Sequence, residues 1–297
     1  MTARWPNLFV VGAPCCGTTA LYFFLRRHLQ VFMAPVKEPH YFSPHLFLPP
    51  PQTLVAERAA YQSLFANASQ HRWIGEASPS YLYSPDAAAA ICATADDPRI
   101  VIALRHPVDH LYSMYWLRSS NALHHGYASP RTFGDALDQE EEGGTNCALL
   151  TYREVARVAG HVARWVALFG RERVHIMLQE DLACSPILTW NALCAFLSIT
   201  PAGDTSRHDE RVAPSQWTRS RLLARWLWRV PAPVSVVARA LLPAAARARV
   251  KGLLRRVNAG ARPPVDAALR RALTHEFSDD IRHLSDVIGR DLSHWLA

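Results

Sequence analysis

The stretch LFVVGAPCCGTTALYFFLRRH, residues 8 to 28, constrains this chain more than any other. Its β-branched and aromatic residues predict a buried strand over 8–13, brought to a stop at Gly12. Pro14, Cys15, Cys16 and Gly17 make a short turn, and Thr18 and Thr19 open a helix that runs to about His28. A strand feeding a helix through a glycine-bracketed loop aims backbone N–H groups and the positive end of the helix dipole at one point, the layout that cradles a phosphate. Gly12 and Gly17 match the G-x-x-x-x-G spacing of a Walker A loop, but Thr18 stands where that loop requires its lysine. Two readings stand: an anion-binding loop, or a tight turn capped by a threonine. The paired glycines, Pro14 and the twin threonines favour the first.

Downstream the pattern alternates. Strands are predicted over 31–34, 72–79, 99–105 and 173–181, and helices over 52–66, from Pro85, from Pro107, and over 131–141, 149–169 and 187–197. Beyond residue 210 only helix, loop and proline are expected. Strands separated by helices imply an α/β fold, a parallel sheet flanked by helices, with ligands at the strand C-terminal ends. That puts Pro14–Thr19, the turn after Ser78, and Arg105 along one edge. The expected organisation is a single domain over 1–297 with a helical C-terminal part. The six cysteines show neither metal spacing nor a disulfide framework, and no signal-peptide layout or long apolar run appears, so a reducing cytoplasm is the expected compartment and no metal site is expected.

Charge is unevenly placed. Residues 211 to 265 hold twelve Lys/Arg and no Asp or Glu, so the other residues carry 20 basic against 25 acidic side chains, within a net charge of +7. A basic segment on a mildly acidic body implies an anionic or interfacial partner. Helical packing with outward-snorkelling arginines is the plainer reading of this segment; a lid over a polyanion or a patch for a membrane or lipid-like acceptor is the other. No nucleic-acid partner is expected. Only two lysines occur, Lys37 and Lys251.

Two further clusters carry chemistry. RIVIALRHPVDHLYS places Arg105 at a strand end and Ser113 two turns into the next helix, where a guanidinium and a hydroxyl grip a second phosphate, or the arginine pairs with a carboxylate. VKEPHYF sets Lys37, Glu38 and His40 on one loop, a carboxylate and an imidazole close enough to take a proton from a hydroxyl.

The order GAPxxGTT, KEPHYF, GEASPSYL, RIVIALRHPVDHLYSMY and a late GRDLSHWL resembles the sulfotransferases that use 3′-phosphoadenosine 5′-phosphosulfate (PAPS), in particular bacterial members related to carbohydrate and heparan-type sulfotransferases. The resemblance runs from Leu8 to Leu296. It implies that Pro14, Cys15, Cys16, Gly17, Thr18 and Thr19 hold the 5′-phosphosulfate, that Arg105 and Ser113 hold the 3′-phosphate, and that Glu38 is the general base with His40 as its neighbour. Ser78 and Tyr81 would line the acceptor site, and 3′-phosphoadenosine 5′-phosphate (PAP) would leave after transfer to a small-molecule, glycan or lipid-like hydroxyl.

The chain departs from that pattern at Cys15, which stands where relatives place a lysine on the leaving oxygen, and at Ala77, where heparan-type members often carry another. A cysteine at a helix N-terminus is expected to tend toward thiolate, which supplies no cation. Lys37 is the candidate substitute. The rival expectations are a nucleotide-binding homologue that has lost catalysis, and a P-loop kinase, disfavoured by the missing lysine.

Overall fold

The computed structural model describes residues 5–47, 50–68, 71–125, 130–141, 151–201, 217–218, 243, 246, 249, 252–254, 257–260 and 262–297. Most of the basic segment 211–265, and with it the choice among packing, lid and interfacial patch, lies outside the described residues.

β1 (Leu8–Gly12) is buried along its whole length, as a strand covered on both faces must be. It pairs in parallel with β3 (Trp73–Ala77) on one side and β4 (Arg99–Leu104) on the other. β2 (Val31–Met33) adds beyond β3, and β5 (Val174–Leu178) beyond β4, giving the all-parallel order β2-β3-β1-β4-β5. The chain leaves β1 toward β3 and later crosses to the other side for β4. That reversal opens a crevice at the C-terminal end of β1, the usual ligand position in such sheets. The α/β fold expected from the sequence is therefore the fold observed.

The helices α1 (Thr18–Arg27), α2 (Arg58–Ser63), α3 (Pro85–Thr94), α4 (Pro107–His125), α5 (Phe133–Glu141), α6 (Tyr152–Ala156), α7 (Ala159–Phe169), α8 (Gln179–Cys184), α9 (Pro186–Leu197), α10 (Ala267–Glu276) and α11 (Ser278–Ile288) complete the described elements with short 3-10 turns. Buried indoles tie elements together through carbonyls: Trp73 Nε1 of β3 donates to Leu197 O of α9 at 2.8 Å, and Trp165 Nε1 of α7 to Leu82 O in the 3-10 turn after β3 at 3.2 Å. At the C-terminus Trp295 is buried, its indole donating to Glu180 at 2.7 Å and its carbonyl lying 2.9 Å from His106 Nε2.

Four expectations need correcting. The helix expected over 52–66 is confined to Arg58–Ser63, because Val55 N–H goes to Pro39 O at 2.9 Å instead of along a helix. The segment 149–169 holds two helices: Thr151 starts α6 with a reciprocal cap to Glu154, and Asp280 receives the N–H groups of Val158 and Ala159 at 3.1 and 3.4 Å, starting α7 afresh. The strand expected over 173–181 ends at Leu178, where Glu180 and Asp181 enter the first turn of α8 and suit its positive end. Beyond residue 210, where no strand is expected, Trp217–Thr218 pairs antiparallel with Ala259–Gly260. No described helix is long and apolar enough to cross a membrane.

Candidate active site

The loop after β1 is fastened at both ends. Ala13 N–H donates to Ala103 O at 2.6 Å and Cys16 N–H turns back to Ala13 O at 3.3 Å. The residue that caps α1 is Gly17, in the left-handed region at φ 99, with no side-chain cap. A threonine cap is therefore not what ends the loop. Gly17 suits the position because a left-handed φ burdens any residue with a Cβ. The Cys16 N–H is spent within the turn, whereas the first-turn N–H groups of α1 have no acceptor inside the helix. Thr18 is buried, and Pro14, Cys15, Gly17 and Thr19 are partly exposed.

Cys15 departs from expectation. Burial pushes its thiol up to about 11, against the pull of the Arg262, Arg105 and Arg118 guanidiniums, so it is a neutral thiol at ordinary pH. Cys16 is fully buried and its thiol is raised further. The thiolate expected at the helix N-terminus is absent because desolvation outweighs the nearby positive charge. The cationic field over the loop comes from arginines.

Arg105, just beyond β4, donates to Ser113 Oγ at 2.8 Å, and Arg262 approaches the same hydroxyl at 3.3 Å. Two like charges gathered on one buried hydroxyl repel each other unless an anion sits between them. Arg105 Nε is buried without a hydrogen-bond partner in the structure. A phosphate oxygen fits both features. Of the two readings of Arg105, the phosphate grip is the one this geometry favours, since the arginine donates to a hydroxyl. Arg262 is brought in by α4: Tyr112 OH donates to Pro263 O at 2.5 Å, and Arg270 of α10 pairs with Asp109. Beside them, fully buried His110 is held neutral by burial and by the nearby Arg105 charge, with its pKa lowered to about 3.

The loop after β2 carries the acid–base candidates to the same edge, where Glu38 N–H bonds Ala77 O at the end of β3 at 3.0 Å. Lys37 forms an ion pair with Glu38, and His40 Nε2 lies 3.6 Å from the other carboxylate oxygen. Burial alone would raise the Glu38 carboxyl, but the His40 ring and the Lys37 ammonium hold it down at about 2. His40 is buried, its Nδ1 2.8 Å from Ser80 Oγ. The imidazole therefore orients the carboxylate. Lys37 rests on Glu38 in this structure. Cys15, Glu38 and His40 all adopt left-handed backbone conformations, at φ 62, 62 and 52. Such conformations cost about 1–3 kcal/mol each and gather where surrounding structure fixes a working geometry.

Ser78 and Tyr81 are not acceptor-lining. Both are fully buried, and their hydroxyls donate to Glu76 at 2.6 and 2.7 Å. Sequence reasoning missed Glu76 and Arg262. A glutamate inside the apolar strand WIGEA was a visible signal, since a buried carboxylate needs partners. Arg262 carried no local mark among its neighbouring arginines. Among the described residues no cluster of metal-ligating side chains occurs.

Comparison with known proteins agrees with this architecture. Residues 6–216 match the sulfotransferase domain family. The structure of a sulfotransferase from Alicyclobacillus acidocaldarius superposes with a TM-score of 0.71 at 26% identity, covering 99% of this chain and 100% of that one. Carbohydrate sulfotransferase 15 of Homo sapiens is 23% identical over 290 residues, covering 75% of this chain and 51% of the relative. Heparan sulfate glucosamine 3-O-sulfotransferase 6 of Homo sapiens is 31% identical over 112 residues, 38% of this chain and 30% of the relative. The chain thus spans about half the length, or less, of these curated relatives. With its phosphate loop, paired arginines and loop carboxylate on one sheet edge, the chain belongs to the sulfotransferase family.

Proposed function

We propose that the protein transfers a sulfuryl group from PAPS to a hydroxyl of a carbohydrate-type acceptor and releases PAP. The observation that carries this reading is Ser113 Oγ lying between Arg105 and Arg262, on the same sheet edge as the loop 14–19 and Glu38. Two guanidiniums and a hydroxyl suit the 3′-phosphate that separates PAPS from other adenine nucleotides. The carbohydrate acceptor class rests on what the curated relatives are named for.

In this reading the first-turn N–H groups of α1, with the Thr18 and Thr19 hydroxyls, hold the 5′-phosphosulfate. The acceptor oxygen forms a bond to sulfur as the bond from sulfur to the phosphate oxygen breaks. Glu38 takes the acceptor's proton, and the electron pair of the broken bond goes to PAP. A carboxylate held at about 2 is a weak base while Lys37 sits on it. Transfer of the Lys37 ammonium from Glu38 to the phosphosulfate would raise the base and place a cation where the leaving oxygen gains charge. This answers the missing loop lysine, and it favours a working enzyme over a homologue that has lost catalysis.

The test has two arms. Calorimetric titration should show PAP bound at least tenfold more tightly than 5′-AMP, and Arg105→Ala or Arg262→Ala should erase most of that preference, each removing a charge-assisted contact of about 1.5–3 kcal/mol. Equal affinity for the two nucleotides would remove the assignment. The second arm follows sulfate from labelled PAPS into desulfated glycosaminoglycan oligosaccharides and simpler glycosides. Binding of PAP without transfer to any of them would leave the non-catalytic reading standing.

A further inference from the structure

Glu76 is fully buried near the C-terminal end of β3 and accepts three hydroxyl hydrogen bonds: from Tyr61 at 2.6 Å, Tyr81 at 2.7 Å and Ser78 at 2.6 Å. Two of those hydroxyls have a second task. Ser78 Oγ accepts from His40 N–H at 3.1 Å, and Tyr81 OH accepts from Phe42 N–H at 3.3 Å. A hydroxyl has one proton, so each can accept the backbone N–H and still be satisfied only by giving that proton to an acceptor behind it. Glu76 is that acceptor for both. Ser78 is itself anchored to the central strand, its N–H bonded to Val10 O at 3.1 Å.

We propose that Glu76 is a positioning residue for the acid–base loop: through Ser78 and Tyr81 it fixes the backbone of residues 38–42 so that Glu38 and His40 keep their left-handed conformations and their mutual geometry. The catalytic part of this inference rests on the reading of Glu38 as base; the structural part does not. The backbone at Glu38 and His40 is one that residues with a Cβ rarely adopt, so it relaxes when its hooks are removed. Besides the Pro39 carbonyl, which accepts from Val55 N–H, the segment's own N–H hooks are three: Glu38 N–H on the end of β3, His40 N–H on Ser78, and Phe42 N–H on Tyr81. Two of the three depend on one carboxylate. Tyr61 supplies an internal control, because its hydroxyl also donates to Glu76 but no hydrogen bond to the 38–42 backbone runs through it.

The experiment uses the full chain and two readouts. Amide hydrogen exchange over residues 36–44 is compared in the parent, Glu76→Gln, Ser78→Ala, Tyr81→Phe and Tyr61→Phe. The same proteins are assayed for PAP affinity and for sulfate transfer from labelled PAPS to desulfated glycosaminoglycan oligosaccharides. Glu76→Gln should speed exchange at the His40 and Phe42 amides tenfold or more and cut turnover about tenfold or more, with PAP affinity within twofold of the parent. Ser78→Ala and Tyr81→Phe should each release their own amide, which keeps the test decisive should Glu76→Gln not fold. Tyr61→Phe should lower the melting temperature while leaving exchange over 36–44 and turnover within about twofold of the parent. In a Glu38→Gln background, Glu76→Gln should cost little further turnover, because the base it positions is gone. Exchange at 36–44 unchanged in Glu76→Gln, or raised equally throughout the chain and equally by Tyr61→Phe, would reduce Glu76 to a core-packing residue and overturn the proposal. Faster exchange at the loop in a protein whose parent transfers no sulfate would uphold the network and count against the sulfuryl-transfer reading instead.

Discussion

Glu38 carries a tension that a single ion pair sets up. Its carboxyl is held at about 2 by His40 and Lys37 against the effect of burial, which makes it an ever-present anion but a poor proton acceptor. The same Lys37 is the lysine proposed to serve a loop whose cysteine is neutral and whose surrounding cations are arginines. Glu38→Gln should lower turnover by about 100-fold or more with PAP affinity near normal, since shape is kept and proton acceptance lost. Cys15→Lys should raise the transfer rate severalfold, an increment well below the roughly 3–4 kcal/mol of a missing preorganised donor, because arginines and Lys37 already supply positive charge. Lys37→Ala should damage the parent and matter less in the Cys15→Lys background, a non-additivity expected when two cations serve one charge. Equal losses from Lys37→Ala in both backgrounds, measured as kcat, would show that Lys37 never leaves Glu38.

Among the elements, the turn from β1 into α1 shows how local sequence decides a site. Gly12 and Gly17 are both needed, for different reasons. A Cβ at Gly12 would lie 2.6 Å from Leu82 Cβ, a clash with the segment that packs over the sheet. A Cβ at Gly17 would meet nothing closer than 3.8 Å, but its φ of 99 is unfavourable for alanine. Gly17→Ala should therefore act through the backbone, tilting the N–H groups at the start of α1, and weaken PAP binding as well as stability by about 1–2 kcal/mol. Gly12→Ala should cost about 1–3 kcal/mol of stability through overpacking. Titration with PAP separates them: no loss of affinity in Gly17→Ala would show that the loop's left-handed cap is not what aims its donors. This turn was legible in the sequence because a strand, two glycines and a helix start are neighbours in the chain, as were Arg105 and Ser113, linked by two turns of one helix. Arg262 was not legible, since it reaches Ser113 from 149 positions away on a segment of undifferentiated cations. Ser78 and Tyr81 were assigned to the acceptor side because their motif lies beside the site; only their burial and their hydrogen bonds show that the hydroxyls turn inward to Glu76. The split of 149–169 escaped for the same reason, as its cap, Asp280, comes from a distant helix.

At the scale of the whole molecule, burial and partial burial hold several imidazoles neutral. Burial lowers His110 on α4 to about 3, and lowers His161 on α7 and His175 on β5 to about 4, from an ordinary 6.5. All three resist protonation in the folded state, whereas in the unfolded chain they take up protons as pH falls through 6.5. The unfolded state then binds more protons, so stability present above pH 6.5 is lost progressively as pH falls toward 4. Each histidine contributes at most about 1.4 kcal/mol per pH unit to that slope. Glu38 also favours the native state, but its share disappears only below about 4.5, since its folded value is depressed to about 2. Buried Glu76 and Asp280, both raised, act in the opposite sense above their ordinary carboxylate values and offset part of the fall. The histidine window is pH 6.5 to 5. Urea unfolding at pH 7.0, 6.0 and 5.0 should show a falling midpoint with an unchanged m-value. His175→Phe keeps an aromatic ring against Phe196, 5.1 Å away in the parent, and should make the fall shallower by about one histidine's share. A midpoint that stays constant from pH 7 to 5 in the parent would show that these imidazoles accept protons where they sit, and that the sheet and its helices open to water far more readily than their packing implies.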